Sequence, residues 1–311
     1  MDVEGDAVRH IDAAKYDIIY DDTIAAMLSP GTMPSTLEIG LYILTKRSRV
    51  RPNFYDAMRV AMANDAVNSA LKKDAVDAMY FDVDFGGFAV ALQIVHAGLL
   101  PEIMKLFPQY PSSCVMTLRE IARSDTSADG SALVVPVLAT GILTHVRDVI
   151  HRTGTEPIGT DLLLETFALR GQSTAVVESG CLDALLSISA SIKSVWKLQG
   201  MVNACVEVAR NGYLDHVRAS RDLRDVLARL VRIAMAGARA GTVPATLRLA
   251  RQVLGDDMVD RIDGAAPALA GGGRSRARAP PRPGTKPRRR SRSKRRSRRS
   301  RAKTRRSRTR R

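Results

Sequence analysis

A short motif built on glycine recurs through the middle of the chain and sets the period to which the fold must conform. Val95-His96-Ala97-Gly98-Leu99-Leu100 aligns with Leu138-Ala139-Thr140-Gly141-Ile142-Leu143 and with Val177-Glu178-Ser179-Gly180-Cys181-Leu182. A weaker copy runs Ala209-Arg210-Asn211-Gly212-Tyr213-Leu214, so the four glycines stand 43, 39 and 32 residues apart. In the first three copies an apolar residue stands three before the glycine and two apolar residues follow it. This pattern predicts a short helix, a sharp turn that glycine permits, and a second helix packed steeply across the first. Segments between the copies, such as Cys114–Ala122, supply a third helix. One such unit cannot bury its apolar face alone, and stacked neighbours complete the core.

The rest of the body reads the same way. From Asp222 to Ala240 the apolar residues Leu223, Val226, Leu227, Leu230, Val231 and Ala234 recur at helical spacing, with Arg224, Arg229, Arg232 and Arg239 between them. Thr36–Lys46, Tyr55–Ala63, Pro101–Phe107, Ser113–Arg123, Thr160–Ala168 and Val202–Ala209 share the period. Clusters such as Ser29-Pro30-Gly31, Arg51-Pro52-Asn53, Asp84-Phe85-Gly86-Gly87 and Gly154–Gly159 separate them. Alternating strand patterns are scarce. With one Trp, seven Tyr and six Phe in 311 residues, the core is expected to be built from Leu, Val, Ile, Ala and Met. The predicted class is all-α.

On these residues the chain resembles armadillo repeat proteins, whose repeats of about 40 residues carry three helices with a glycine between the first and second. The resemblance is strongest over Phe88–Ser189, weakens through Arg210–Leu254, and returns briefly at Ala240–Leu249. It implies an armadillo-like α-solenoid, a right-handed superhelix of helical repeats, that contacts protein partners through its groove. The expected organisation is an N-terminal segment (1–34), an armadillo-like repeat domain (35–262), a disordered Gly/Pro/Ala linker (263–284) and a disordered Arg/Ser-rich tail (285–311). One departure stands out. Armadillo import receptors carry a Trp and an Asn one helical turn apart on the third helix. Here the single Trp196 is followed one turn later by Gly200, and Asn203 lies seven residues on. The import-receptor role is therefore not carried over.

The formal net charge of +16 divides sharply. Residues 271–311 hold 21 Lys and Arg and no acid, leaving 27 bases against all 32 acids, a net of −5, in residues 1–270. The tail is low in apolar residues and cannot bury enough surface to offset chain entropy. Its guanidinium groups bind phosphate bidentately, and release of condensed counterions gives affinity without sequence preference. The absence of aromatic residues argues against base stacking. The residues expected to contact phosphate are Arg288, Arg289, Arg290, Arg292, Lys294 and Arg295, then Arg296, Arg298, Arg299, Arg301 and Lys303. Arg305, Arg306, Arg308, Arg310 and Arg311 complete them. Ser291, Ser293, Ser297 and Ser300 each precede Lys or Arg, or follow a basic pair, and are candidate phosphorylation sites that would lower the tail's charge. Within the body, residues 218–251 hold eight Arg and two Asp, so their helices are candidates to extend the basic surface.

Other chemistry is missing from the pattern. The three cysteines, Cys114, Cys181 and Cys205, have no paired spacing and read as core residues of a reducing compartment. Asp82-Val83-Asp84 reads as a polar turn with Asp84 near the start of a helix, rather than a metal site. The histidines, His10, His96, His145, His151 and His216, make no ligand spacing. No phosphate loop, G-x-S-x-G or H-E-x-x-H occurs. No cofactor is expected, and the longest apolar run, Ser131–Leu143, is too short for a membrane span. The acidic N-terminus, Met1-Asp2-Val3-Glu4, is unlike a signal peptide. The expected function is a non-enzymatic scaffold whose repeats bind a protein partner and whose tail binds DNA or RNA, in the nucleus or a viral particle. The alternative is an interaction adaptor whose tail serves only as a nuclear localisation signal.

Overall fold

Helices follow one another in the order the glycine period sets. The computed structural model describes residues 18–46, 52–127, 131–235 and 243–263. All belong to the first of two units, Met1–Leu269, and the second, Ala270–Arg311, lies outside them. Helix α1 covers residues 18–28. It is followed by α2 (Pro34–Thr45), α3 (Phe54–Ala63), α4 (Ser69–His96), α5 (Leu100–Leu106) and α6 (Pro111–Arg123). Next come α7 (Val134–Ala139), α8 (Ile142–Thr153), α9 (Thr160–Leu169), α10 (Ser173–Glu178) and α11 (Cys181–Ser187). Helix α12 (Val195–Val208) runs through a π turn at Ala209–Tyr213 into α13 (Leu214–Ala219). The last three are α14 (Arg221–Met235), α15 (Val243–Leu254) and α16 (Asp256–Asp263). No strand occurs among the described residues.

The glycine motif has one geometry in its first three copies. Gly98, Gly141 and Gly180 have φ of 75°, 75° and 67°. Each donates its N–H to the carbonyl three residues back: Val95 at 3.0 Å, Leu138 at 2.9 Å and Val177 at 3.0 Å. A side chain is strained in that left-handed conformation, so glycine holds the corner between first and second helices. Gly212 sits in the π turn with φ 96°. At two of the three corners an arginine from the preceding repeat lies against the glycine. Arg147 of α8 donates to Ser179 O at 3.0 Å beside Gly180, and Arg59 of α3 lies against Gly98.

One correction concerns Asp82 and Asp84. They lie inside α4, not in a turn before a helix; the break comes at Gly87, with φ 59° and ψ −143°. Asp82 is buried and accepts from Tyr55 Oη at 3.2 Å, whereas Asp84 is exposed and pairs with Arg123 at 3.1 Å. The two residues face different surroundings, as residues two apart on a helix must. Burial, more than the Tyr55 bond, decides the Asp82 carboxyl and raises it above its ordinary range. By length and composition alone α4 could cross a membrane, but its backbone is broken at Gly87.

The third helix of each repeat stacks on the next. Helix α4 packs between α2 and α6, α9 packs between α6 and α12, and α12 packs against α15. Leu118 and Ile121 of α6, Leu163, Leu164 and Phe167 of α9, and Leu198, Met201 and Cys205 of α12 are wholly buried along this ladder. Truncating a buried Phe such as Phe167 to Ala typically costs about 3–5 kcal/mol. The core extends forward to Tyr20, Ile24 and Met27 of α1. All three cysteines are buried, and burial pushes each thiol up to about 12.

Candidate functional site

The third-helix ladder leaves one groove of about 480 Å³, where α6, α9, α12 and α15 meet. Its apolar wall is Met116 of α6, Ile158 of the preceding loop and Leu162 of α9. Met116 reaches the wall because Gly159, at the start of α9, has no side chain: a Cβ there would overlap its sulfur. Trp196 of α12 also lines the groove and remains 69% exposed. Trp196, Gly200 and Asn203 fall at i, i+4 and i+7 of α12 and therefore share one face. On the floor, Gln199 Nε2 donates to Thr246 Oγ1 of α15 at 3.4 Å.

Two carboxylates lie in this groove. Asp161, in the first turn of α9, is only 7% exposed, and its Oδ2 lies over Gly200, where any Cβ would overlap it. Glu165, one turn later on the same helix, is half-buried. Among the described residues neither is hydrogen-bonded or ion-paired to another side chain; Asp161 is steadied by N–H groups at the start of its own helix, its own and that of Leu162. The nearest cation of the groove, Lys197, is already engaged by Glu156 at 2.5 Å. Burial, then the charge of Glu156, holds the Asp161 carboxyl above its ordinary range, with Lys197 only partly opposing them. Burial, Asp161 and Glu207 likewise raise Glu165, against Arg119. The groove thus combines an exposed indole with two carboxylates that Lys197 and Arg119 oppose only in part.

The residues singled out from the sequence are placed differently. Gly98, Gly141, Gly180 and Gly212 hold turns in separate repeats and form no common site. The basic residues Arg288 to Arg311 and the serines Ser291, Ser293, Ser297 and Ser300 lie outside the described residues. The arginines of α14 are largely occupied by carbonyls. Arg229 donates to Ser189 O and Ile192 O, each at 2.5 Å, and Arg224 to Arg218 O at 3.0 Å. The His145 ring is tilted against Phe107 at 5.6 Å and His216 lies 3.4 Å from Asp183, and neither lines the groove. Asp161 and Glu165 were not singled out. Their signal was two acids one turn apart on an otherwise apolar third helix.

No family model and no curated protein matches the chain. Solved structures do. A designed armadillo repeat protein, YIII(Dq.V1)4CPAF in complex with peptide (KR)4, is 14% identical with a TM-score of 0.56, over 75% of this chain and 98% of that one. A second designed armadillo repeat protein, YIII(Dq)4CqI, is also 14% identical with a TM-score of 0.56, over 75% and 98%. An engineered protein known from its crystal structure is 15% identical with a TM-score of 0.53, over 78% of this chain and 97% of its own. The glycine corners, the three-helix repeats and the ladder of third helices agree with these likenesses: the chain has the armadillo repeat fold.

Proposed function

We propose that this protein is a non-enzymatic scaffold that binds an extended basic segment of a protein partner in its third-helix groove and nucleic-acid phosphates through its tail. The observation that carries the first half is the exposed Trp196 lining one groove with Asp161 and Glu165, neither of which is ion-paired to a side chain among the described residues. A designed protein of the same fold, solved with the basic peptide (KR)4, supports the same use of the fold. Fold alone does not assign a ligand, so the reading rests on the groove's own residues. Calorimetric titration of the full chain with (KR)4 tests it. Saturable binding is expected, and no heat of binding at millimolar peptide would contradict it.

The second half rests on the 21 bases and no acids of residues 271–311. The tail would tether or condense DNA or RNA within an assembly, and we place that assembly in the nucleus or a viral particle. Its affinity is expected to fall steeply with salt, because each neutralised phosphate releases a counterion. Comparing the full chain with a full-length variant in which the arginines from Arg288 to Arg311 are glutamine tests this. The variant is expected to lose most of the salt slope. An unchanged slope would contradict the proposal and favour a tail that serves only as a localisation signal.

A further inference from the structure

A second cavity, of about 500 Å³, opens where the turn between α3 and α4 meets α5. Four residues that line it carry charge: Asp65 on the turn, Lys72 of α4, and Glu102 and Lys105 of α5. Their circumstances differ. Lys105 is exposed and pairs with Glu102 at 2.9 Å; Glu102, and more weakly Asp65, favour its charged form. Asp65 is exposed, so water satisfies it. Lys72 is only 8% exposed, and among the described residues its ammonium has neither an ion pair nor a hydrogen bond. A lysine stem buries readily, but a buried ammonium without a counter-charge is costly.

The start of α4 lies at the same cavity. Asn68 and Ser69 line it, and Ser69 stands three residues before Lys72, on the same face of the helix. The Asn68 side chain caps the Ala70 N–H at 2.8 Å, whereas the Ser69 N–H has no acceptor among the described residues. The helix runs from Ser69 without a break as far as Gly87, and the N–H groups at such a start favour negative charge.

We propose that this cavity binds a single carboxylate group, held by the Lys72 ammonium and the Ser69 N–H. The inference rests on neither the third-helix groove nor the tail.

The number of charges decides the ligand class. One buried ammonium is left over, and one negative charge matches it. A phosphate dianion would bring a second charge towards Asp65 and Glu102, which oppose it. A carboxylate presents two acceptor oxygens, one for each donor. Met62, Val67 and Leu106 also line the cavity and offer apolar contact to the carbon that bears the group. Two sources share this chemistry, a small free acid and the C-terminal end of a peptide.

Two-dimensional NMR of the isotope-labelled full-length chain tests the proposal at constant ionic strength, with chloride as the balancing anion. Acetate is expected to shift the Ser69 and Lys72 amide signals saturably. Lys72→Met keeps the buried stem and removes the charge. It is expected to weaken acetate binding, read at Ser69, by about tenfold while far-ultraviolet circular dichroism stays unchanged. Lys72→Arg keeps a cation and is expected to retain binding. Inorganic phosphate near neutral pH is expected to bind no more tightly than acetate. N-acetyl-triglycine and its C-terminal amide separate the sources, and the amide is expected not to bind. Tighter binding of the peptide acid than of acetate identifies a peptide end as the ligand; weaker binding identifies a small free acid. The absence of a saturable acetate shift at both amides would overturn the proposal, as would undiminished binding in a folded Lys72→Met chain. Tighter binding of phosphate than of acetate would overturn the choice of a carboxylate.

Discussion

Asp161 Oδ2 lies against the α-carbon of Gly200, one helix reaching across to occupy the space that its neighbour leaves by having no side chain. This contact joins the third helices of two successive repeats, α9 and α12, at the floor of the groove. It makes the identity of residue 200 and the charge at residue 161 one joint property.

A double-mutant cycle follows from that contact. Gly200→Ala places a methyl group into the carboxylate and is expected to destabilise the chain by about 1–3 kcal/mol, the usual range for overpacking. In an Asp161→Ala background the space is free. There the same substitution is expected to stabilise by up to about 1 kcal/mol, because glycine inside a helix is worse than alanine by roughly that amount. Urea unfolding of the four proteins measures the coupling. Additive effects would show that the two residues do not meet.

The raised carboxyls give a prediction of definite sign. Asp161 faces Glu156 and Lys197, and Glu165 faces Asp161, Glu207 and Arg119. Both are raised in the folded chain, so it takes up protons at a pH where the unfolded chain does not. Stability from this pair is therefore expected to increase as pH falls from the raised values toward the ordinary range near 4. The double variant Asp161→Asn with Glu165→Gln is expected to be more stable than the native chain at neutral pH and to bind (KR)4 less well. Thermal unfolding against pH checks the first half; a destabilised variant at pH 7 would contradict it. Stability given up at a binding groove is a common exchange.

Asp125 supplies the opposite case. It is buried after α6 and accepts from Leu133 N–H at 2.7 Å, Val134 N–H at 3.1 Å and Ser127 N–H at 3.0 Å. Burial alone would raise its carboxyl, but these bonds together with the Ser127 hydroxyl outweigh it and lower it. Its contribution is present above the ordinary carboxylate range and is lost as pH falls through the lowered value. Asp125→Ala leaves buried N–H groups at the start of α7 without a partner and is expected to cost about 2–4 kcal/mol. A loss below 0.5 kcal/mol in urea unfolding would show that this carboxylate does not fix the connection between repeats.

Much of the architecture was legible from the sequence because its signals are local. The spacing of apolar residues located α3, α5, α6 and α9 to within about two residues, since helical burial and sequence period are the same fact. The glycine corners were legible because only a left-handed backbone requires that residue there. The polar turn expected at Asp84 was not, because Gly86 and Gly87 suggested a stop that α4 delays until the second of them. The groove was half legible. Trp196, Gly200 and Asn203 stood out against the armadillo pattern, whereas Asp161 belongs to the groove only because α9 stacks on α12. No spacing along the chain encodes that contact 39 residues apart.

The same lone tryptophan offers the most direct test of the central claim, that this groove is where a basic segment binds. Trp196 is the only emitter of its kind in the chain and is 69% exposed, so dissolved acrylamide should quench it freely. Titrating the full-length chain with (KR)4 is predicted to shift its emission saturably and to lower its acrylamide quenching constant at least twofold, with the midpoint of the calorimetric isotherm. Peptide bound by calorimetry with emission and quenching of Trp196 unchanged would contradict the account and place the ligand elsewhere.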